Sequence, residues 1–470
     1  MYKLQIQLGR RAYKSFFVNN IRHSSNFFDL KNTPFENVSG KENESSDVKD
    51  LNNMYSNMFE SQQISTSNRA MKNEGNDLDD INKEINDFFG TPSFDTLDTE
   101  NKNDIEEIQN PQQFIDLVKS DSKFCIVSNS KNPFYNLSME DFIFRNTPID
   151  KANLASPFNS QRLMLYINDK TCVFGKNQNP FKEVNLKSKL LKKNGGNYDL
   201  VRRYSGGGTV VHDIGNVNYS YLTSRNEFDQ KFFNSFIVNL VNNYLSASQN
   251  HVLDVHLNTE TTRNGLLDMN ERGDITCNGY KVSGSAFKIA LNKSYHHGTM
   301  LIDSNLREFS KIMRPKLRKS EHVNNGIRYD MEEFSEETDV DSVRSPIENL
   351  KKLTNNALSS PEQFIQILVN GFKSLFSNNQ KIKTYSIDPE SVDFMEVYKL
   401  CTENNLKNSS KGFTELATQD WIYRHTPSFK YTNKTTGFYY RVKKGVVIDT
   451  NDTNNNIQIN KSLFRDDLMV

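Results

Sequence analysis

A glycine-rich turn between two predicted strands constrains this chain more than any other stretch. The segment LVRRYSGGGTVVHDIGNVNYSY covers residues 200–221 and contains three consecutive glycines, Gly206, Gly207 and Gly208. Such glycines allow a tight bend and let a ligand approach the backbone N–H groups. Arg202 and Arg203 precede the turn, and arginine donates two parallel hydrogen bonds to a phosphate or carboxylate. The flanking strands favour an anion-binding loop over a plain hairpin. No Gly-Lys-Ser/Thr follows, so the segment is not a Walker A loop.

The overall composition excludes several classes of protein. The 470 residues carry 58 basic and 58 acidic side chains, so no global charge predicts binding to nucleic acid or to a membrane surface. Four scattered cysteines without a CxxC pair argue against a zinc site or a disulfide framework. A hydrophobic content of 36% and a mean hydropathy of -0.70 are low, which indicates that part of the chain does not pack into a core.

Composition changes along the chain predict four regions. Residues 1–28 are basic and contain no acidic residue, which is typical of a mitochondrial transit peptide and predicts a location in the matrix. Residues 29–120 are rich in Asn, Asp, Glu and Ser, and we expect a disordered linker. Residues 121–387 should form the main folded domain, and residues 388–470 a small C-terminal accessory domain of mixed strands and helices.

Local patterns in residues 121–387 mix strands with helices. Asn132-Pro133 should open a helix, residues 232–244 have an amphipathic helical pattern, and Ser360 begins a capping box with Gln363. Short strands are predicted at residues 125–130, 163–167, 171–174 and 296–301. Because the pattern lacks regular βαβ alternation, we predict an α+β fold, a mixed sheet with helices packed on it. Residues 320–340 are an acidic insertion without a pattern.

Lys281 is the strongest single candidate for catalysis. It follows Asn278-Gly279, a two-residue hairpin signal, and precedes the small residues Ser283, Gly284 and Ser285, which we expect to form a turn. A lysine in such surroundings can bring its charge close to a developing oxyanion or a phosphoryl group. An exposed strand lysine is the commoner fate of such a residue. Cys277 could serve as a nucleophile, but a loop cysteine without a chemical role is the preferred interpretation.

Six motifs occur in the order found in one known family, and the chain resembles lipoate–protein ligase A and the related lipoyltransferases. The motifs are NPFYNLSMEDFIF (132–144), GKNQNPFKEVN (175–185), RRYSGGGTVVHDIGN (202–216), KVSGSA (281–286), HHGTMLI (296–302) and SVRSPIENL (342–350). The resemblance implies a catalytic domain of the biotin/lipoate ligase type. It also implies activation of lipoate by ATP and Mg²⁺ to lipoyl-adenylate, followed by transfer to a lysine of a lipoyl domain. The expected acceptors are E2 subunits of 2-oxoacid dehydrogenases and the glycine-cleavage H protein.

The resemblance also implies site residues. Lys281 would be catalytic, bridging the α-phosphate and the lipoyl carbonyl in both half-reactions. The residues expected to bind ATP or lipoyl-adenylate are Arg203, Ser205, Gly206, Gly207, Gly208, Thr209, Val210, Val211, Asn216, Lys281, Ser283, Gly284, Ser285, His297, Gly298 and Thr299.

One departure from the family leaves a second function open. Bacterial ligases usually carry an Asp after an Arg-Asn pair, whereas here Gly265 follows residues 263–264, and Asp268 is the substitute candidate for a metal ligand. Without that carboxylate, the protein could be a lipoyl or octanoyl transferase that uses a pre-activated donor. A third alternative is a chaperone that only binds lipoyl domains, but binding alone requires neither Lys281 nor the glycine loop.

Overall fold

The computed structural model describes residues 105–150, 158–249, 265–313, 332–335, 339–377, 381–404 and 412–453. The predicted transit peptide, 1–28, lies outside the described residues, as does most of the predicted linker. The described residues all belong to one unit that spans 93–470. Within them, no helix combines the length and the apolar character needed to cross a membrane.

Strands and helices alternate irregularly along the chain. The strands are β1 (Ile105–Glu107), β2 (Phe124–Ser128), β3 (Arg162–Tyr166), β4 (Thr171–Phe174), β5 (Asp199–Arg202), β6 (Val210–His212), β7 (Asn216–Ser224), β8 (Leu267–Met269), β9 (Ile275–Cys277), β10 (Tyr280–Lys281), β11 (Ser283–Ala290), β12 (Lys293–Leu301), β13 (Glu332–Ser335), β14 (Lys383–Ile387), β15 (Phe429–Asn433), β16 (Tyr439–Lys443) and β17 (Val446–Thr450). The helices are α1 (Pro111–Lys119), α2 (Pro133–Asn146), α3 (Pro180–Glu183), α4 (Phe232–Gln249), α5 (Leu306–Ile312), α6 (Leu350–Leu353), α7 (Pro361–Phe376), α8 (Phe394–Glu403) and α9 (Gly412–Leu416).

The largest sheet has seven strands in the order β1-β14-β2-β3-β7-β12-β11. The strands from β1 to β3 pair in parallel, and those from β3 to β11 pair antiparallel. Helices cover both faces, and alternate residues of β3 enter opposite cores. Leu163 and Leu165 pack with α4 and α7, whereas Met164 and Tyr166 pack with α1, α2 and α8. The mixed α+β prediction is therefore confirmed.

Three smaller sheets complete the fold. The sheet β5-β4-β6 carries the glycine loop between β5 and β6, and the sheet β10-β9-β8 carries Lys281. The hairpin predicted at Asn278-Gly279 is confirmed, because both residues have positive φ and Cys277 pairs with Tyr280. The turn expected after Lys281 is wrong: residues from Ser283 onward continue into the eight-residue strand β11, because they pair with β12 along their whole length.

Two predicted region boundaries differ from the structure. The linker was expected to run to residue 120, but β1 and α1 lie within it. Their formation depends on distant partners, since β1 pairs with β14 and Phe114, Ile115 and Val118 are buried in the core shared with α2 and α8. Residues 388–470 do not form a separate domain, because α8 joins that same core and Trp421 packs against Val201 of β5. Within the acidic insertion, residues 332–335 form β13, which pairs with β15.

Candidate functional site

The glycine loop lies against strands β11 and β12 of the large sheet. Gly207 has φ +83°, and a Cβ atom there would come within 3.0 Å of the Ala286 Cβ and 2.9 Å of the Arg203 guanidinium. Gly175, at the end of β4, is equally restricted, because its Cβ would lie 2.1 Å from the Gly207 carbonyl oxygen. Close backbone packing therefore explains the glycine at both positions. The loop is fixed against the sheet that carries His297 and Gly284.

Arg202 and Arg203 have different roles because neighbouring strand residues point to opposite faces. The guanidinium of Arg203 donates to the carbonyls of Gly206 and Gly208 at 2.6 and 2.8 Å, and its Nε donates to Ser205 Oγ at 3.0 Å. Burial lowers the pKa of Arg203 to about 10, so it stays charged at neutral pH. Arg203 thus holds the loop in shape from within.

Arg202 connects the loop strand to the C-terminal part of the chain. It is fully buried and donates to the carbonyls of Trp421 and Ile422, with the shortest bond at 2.6 Å. Trp421 returns a hydrogen bond from its indole N–H to the Arg202 carbonyl at 2.7 Å. These bonds explain why residues beyond 387 pack into the same unit as the site.

Lys281 faces a carboxylate that the sequence interpretation missed. Its Nζ lies 2.8 Å from Asp274 Oδ1, and the two side chains are 22% and 15% exposed, so solvent or a ligand can reach the pair. A Cβ at Gly284 would lie 3.9 Å from the Lys281 Cε and 3.6 Å from the Val210 Cγ1. Gly284 therefore lies between Lys281 and the end of the glycine loop, and the absence of a side chain keeps that space open.

Asp268, the predicted metal ligand, lies in register with Thr276 of β9, the residue that pairs with Lys281. It is exposed on β8 and its Oδ1 accepts a hydrogen bond from the N–H of Met269 at 2.7 Å. The described residues contain no group of three His, Cys, Asp or Glu side chains that could hold a metal ion. The carboxylate next to Lys281 comes from Asp274, two residues before Thr276, which pairs with Lys281 across β9 and β10.

A segment from 339 to 349 crosses the site and joins its two sides. The Ser342 hydroxyl accepts hydrogen bonds from the Thr209 N–H and from Gln178 Nε2, both at 2.9 Å. Thr209 Oγ1 donates to Gln178 Oε1 at 2.9 Å, and the Lys281 N–H donates to the Pro346 carbonyl at 2.9 Å. Gln178 and Ser342 were within the recognised motifs, but only their tertiary bonds identify them as site residues.

The small polar residues predicted to bind the nucleotide mostly have protein partners. Ser283 is bonded to the Tyr219 hydroxyl, and Ser285 Oγ accepts from Asn234. Thr299 Oγ1 accepts from the Gly284 N–H at 3.2 Å, and Gly298 and Thr299 pair with Ser285 and Gly284 of the neighbouring strand β11. Asn216 begins β7 and is buried, with its amide donating to Asn218. These bonds fix the side chains around Lys281 and the glycine loop, and their contact with a nucleotide stays a prediction.

Two histidines flank the glycine loop, and a third points away from it. His297 is bonded to Ser205 Oγ through Nε2 at 2.7 Å and to Glu140 Oε1 through Nδ1 at 2.9 Å. His212, at the end of β6, is bonded through Nδ1 to Asn168 at 3.0 Å. His296 packs among aromatic rings on the other face of β12, as is usual for adjacent residues of a strand. Burial lowers the pKa of both His212 and His296 to about 3.

Cys277 lies on the face of β9 opposite to that of Thr276, the residue that pairs with Lys281. It is fully buried, and burial raises the pKa of its thiol to about 11, so the thiolate needed for attack is scarce at neutral pH. The preferred interpretation of Cys277 as a structural residue is consistent with this burial.

The fold places the glycine loop and the Lys281 hairpin on either side of Gly284. A family model for the lipoyl protein ligase A/B catalytic domain matches residues 132–373. The chain belongs to this family and is a ligase or lipoyltransferase.

Individual relatives agree with this assignment. A Saccharomyces cerevisiae protein named "Putative lipoate-protein ligase A" is 38% identical over 344 residues, covering 73% of this chain and 71% of the relative. Lipoate–protein ligase 1 of Plasmodium falciparum is 29% identical, covering 74% and 88%. The crystal structure of Plasmodium falciparum LipL1 with lipoate has a TM-score of 0.45 and 25% identity, covering 70% of this chain and 84% of the other.

Proposed function

We propose that this protein attaches lipoate to the acceptor lysine of lipoyl domains, through a lipoyl-adenylate made from lipoate and ATP. The single observation that carries the proposal is the position of Lys281, within an open space beside Gly284 and paired with Asp274. A lysine charge so placed can stabilise negative charge on both a phosphoryl and a carbonyl oxygen.

The two half-reactions make the same demand on Lys281. In the first, the lipoate carboxylate attacks the α-phosphorus of ATP and expels pyrophosphate. In the second, the amine of the acceptor lysine attacks the mixed anhydride at its carbonyl carbon and expels AMP. Negative charge builds up near the bond between phosphate and acyl group each time, so one fixed cation serves both steps. No protein nucleophile is required.

Bacterial ligases have an Asp where this chain has Gly265, and its absence left a transferase open as an alternative. We propose that Asp274 takes the place of that carboxylate. Magnesium in nucleotide sites is typically held by one or two carboxylates together with substrate phosphates, so one accessible carboxylate fits such an ion. Asp274 would hold Mg²⁺, which would neutralise charge on the phosphates. With this residue beside Lys281, the reason to prefer a pre-activated donor is removed, and activation by the protein itself is the function that we propose.

The decisive experiment is lipoate-dependent exchange of radiolabelled pyrophosphate into ATP by the purified full chain. Exchange that requires both lipoate and Mg²⁺ is the expected result, and a reaction without lipoate is its control. If exchange is absent while supplied lipoyl-adenylate is still transferred to a lipoyl domain, the protein is a transferase. An Asp274→Asn variant should raise the Mg²⁺ concentration needed for half-maximal exchange.

The acceptors and the location follow from the same function. We propose that the acceptors are lipoyl domains of E2 subunits and the glycine-cleavage H protein, and that residues 1–28 direct the protein to the mitochondrial matrix. Residues 1–28 contain basic residues and no acidic ones, which supports import into mitochondria. A reporter fused to residues 1–28 should enter mitochondria, whereas a fusion with Arg10→Glu and Arg11→Glu should stay outside.

A further inference from the structure

Helix α2 places two buried polar side chains one turn apart, each aimed at a different histidine of the site. Asn136 and Glu140 are separated by four residues and are 0% and 2% exposed, and Ser138 and Asp141 are also buried on this helix. Burying such groups is costly unless they are fully hydrogen-bonded. Glu140 contacts His297 directly, and Asn136 reaches His212 through Asn168.

The Asn136 chain determines which nitrogen of His212 carries the proton. The Ser130 carbonyl can only accept, so the Asn136 group 2.9 Å from it must be the NH₂. The same NH₂ donates to Asn168 Oδ1 at 2.8 Å, which turns the Asn168 NH₂ toward His212 Nδ1 at 3.0 Å. His212 Nδ1 must therefore accept. Because the ring is neutral at physiological pH, its proton is on Nε2.

This Nε2–H is a donor without an acceptor. His212 is 4% exposed, and among the described residues no partner lies within hydrogen-bonding distance of its Nε2. The ring lies near Arg203 and His297. A buried donor that is fixed in orientation, yet unpaired beside the glycine loop, indicates an acceptor supplied from outside the protein.

We propose that His212 donates a hydrogen bond from Nε2 to the bound acyl ligand, and that Asn136 is the positioning residue that fixes it as a donor. The acceptor is an electron-rich atom of the lipoate or lipoyl-adenylate, so the inference rests on the proposed function. Glu140 has the complementary role. Its carboxylate lies 2.9 Å from His297 Nδ1, and His297 Nε2 is bonded to the Ser205 hydroxyl, which accepts from Arg203 Nε.

Two substitutions of His212 separate a ligand contact from a structural one. The amide nitrogen of glutamine can occupy the place of Nε2, whereas that of asparagine reaches only the place of Nδ1. We expect His212→Asn to raise the dissociation constant for free lipoate roughly tenfold, as for loss of one buried hydrogen bond, and His212→Gln to raise it less than threefold. A residue that only supports Asn168 would give the reverse order.

A third variant tests the positioning residue. Asn136→Asp removes the NH₂, so Asn168 should turn over and present its oxygen to His212, moving the proton to Nδ1. We expect weaker lipoate binding in Asn136→Asp, and no further loss when His212→Gln is added, because the glutamine amide can rotate freely. Additive losses in the double variant would overturn the positioning role.

The measurements are calorimetric titrations of each full-length variant with free lipoate, together with thermal unfolding. Selective ¹⁵N labelling of histidine reports the proton position directly: the wild type should show one Nε2–H tautomer that Asn136→Asp converts to Nδ1–H. A wild type that does not bind lipoate would refute the proposed function. Normal binding with a reversed order of the His212 variants, or a His212 ring protonated on Nδ1, would refute only this inference.

Discussion

The two sides of the site hold their charged groups in opposite ways. On the loop side, residues 202–212, Arg203 is 5% exposed and most of its donors are used by carbonyls of the loop itself. On the lysine side, residues 274–284, Lys281 lies on a two-residue strand, is partly exposed and has one ion-pair partner, Asp274. The loop side is preorganised before ligand arrives, whereas the lysine side can exchange its carboxylate for phosphate.

The largest effect should come from the lysine side. Lys281→Met removes the charge that both half-reactions need, and we expect adenylation and transfer to fall about 10²–10³-fold with little change in thermal stability. Lys352→Met is the matched control, because Lys352 is an exposed lysine that is also paired with one carboxylate, Glu348. Single-turnover rates of adenylation and transfer, measured for both variants, show whether Lys281 acts in both half-reactions. Near-normal transfer by Lys281→Met would remove it from the mechanism.

The loop side should respond through both binding and stability. Arg203→Lys keeps the charge but loses the fork that holds the Gly206 and Gly208 carbonyls, so KM for lipoate and ATP should rise about tenfold, with a loss of about 2–3 kcal/mol of unfolding free energy. Arg202→Lys should destabilise the fold to a similar extent, because it anchors Trp421, while changing KM less. A larger KM effect for Arg202→Lys would reverse the assignment of these two arginines.

Adjacent glycines of the loop give a finer test. Gly207→Ala forces a positive φ on alanine and a 3.0 Å contact with Ala286, so unfolding free energy should fall by about 1–3 kcal/mol. At Gly206 a Cβ would meet nothing within 4 Å. We expect Gly206→Ala to stay within about 0.5 kcal/mol of the wild type in urea unfolding. Equal losses in the two variants would mean that the loop is not packed as described.

The smallest effect on catalysis should come from Cys277, which is on the lysine side. Cys277→Ala should leave the transfer rate unchanged, because the thiol is buried and protonated, and should lower the unfolding free energy by about 1 kcal/mol. Mass spectrometry during turnover should detect no acyl group on the protein. An acylated Cys277, or a large rate loss, would revive a covalent route.

Much of the fold was predictable because its signals are local. The Asn278-Gly279 hairpin, the capping box at Ser360 and the helix after Asn132 each depend on a few adjacent residues, and all three were correct. β1 could not be predicted. It is three exposed residues, and only pairing with β14 makes it a strand.

The site shows the same division. The glycine loop and Lys281 were found from sequence, but Asp274 was not, since the search for a carboxylate began at residues 263–264. The register of the predicted hairpin was sufficient to identify Asp274. Folding back from Asn278-Gly279 pairs Lys281 with Thr276, so Asp274 becomes its diagonal neighbour on the same face. Glu140 lies beside Asp141 in the motif at 132–144, and no local signal identifies His297 as its partner.

The position of β14 between β1 and β2 has a consequence for how the chain folds. Among the described strands β1 neighbours β14 alone, so it must wait for residues 383–387 to be made, whereas β2 can already pair with β3 on its other edge. The antiparallel strands β7, β12 and β11 have partners closer in sequence and can form first. We therefore expect slow, late closure of the parallel edge, which leaves unpaired strand edges open to chaperones while the chain is still incomplete.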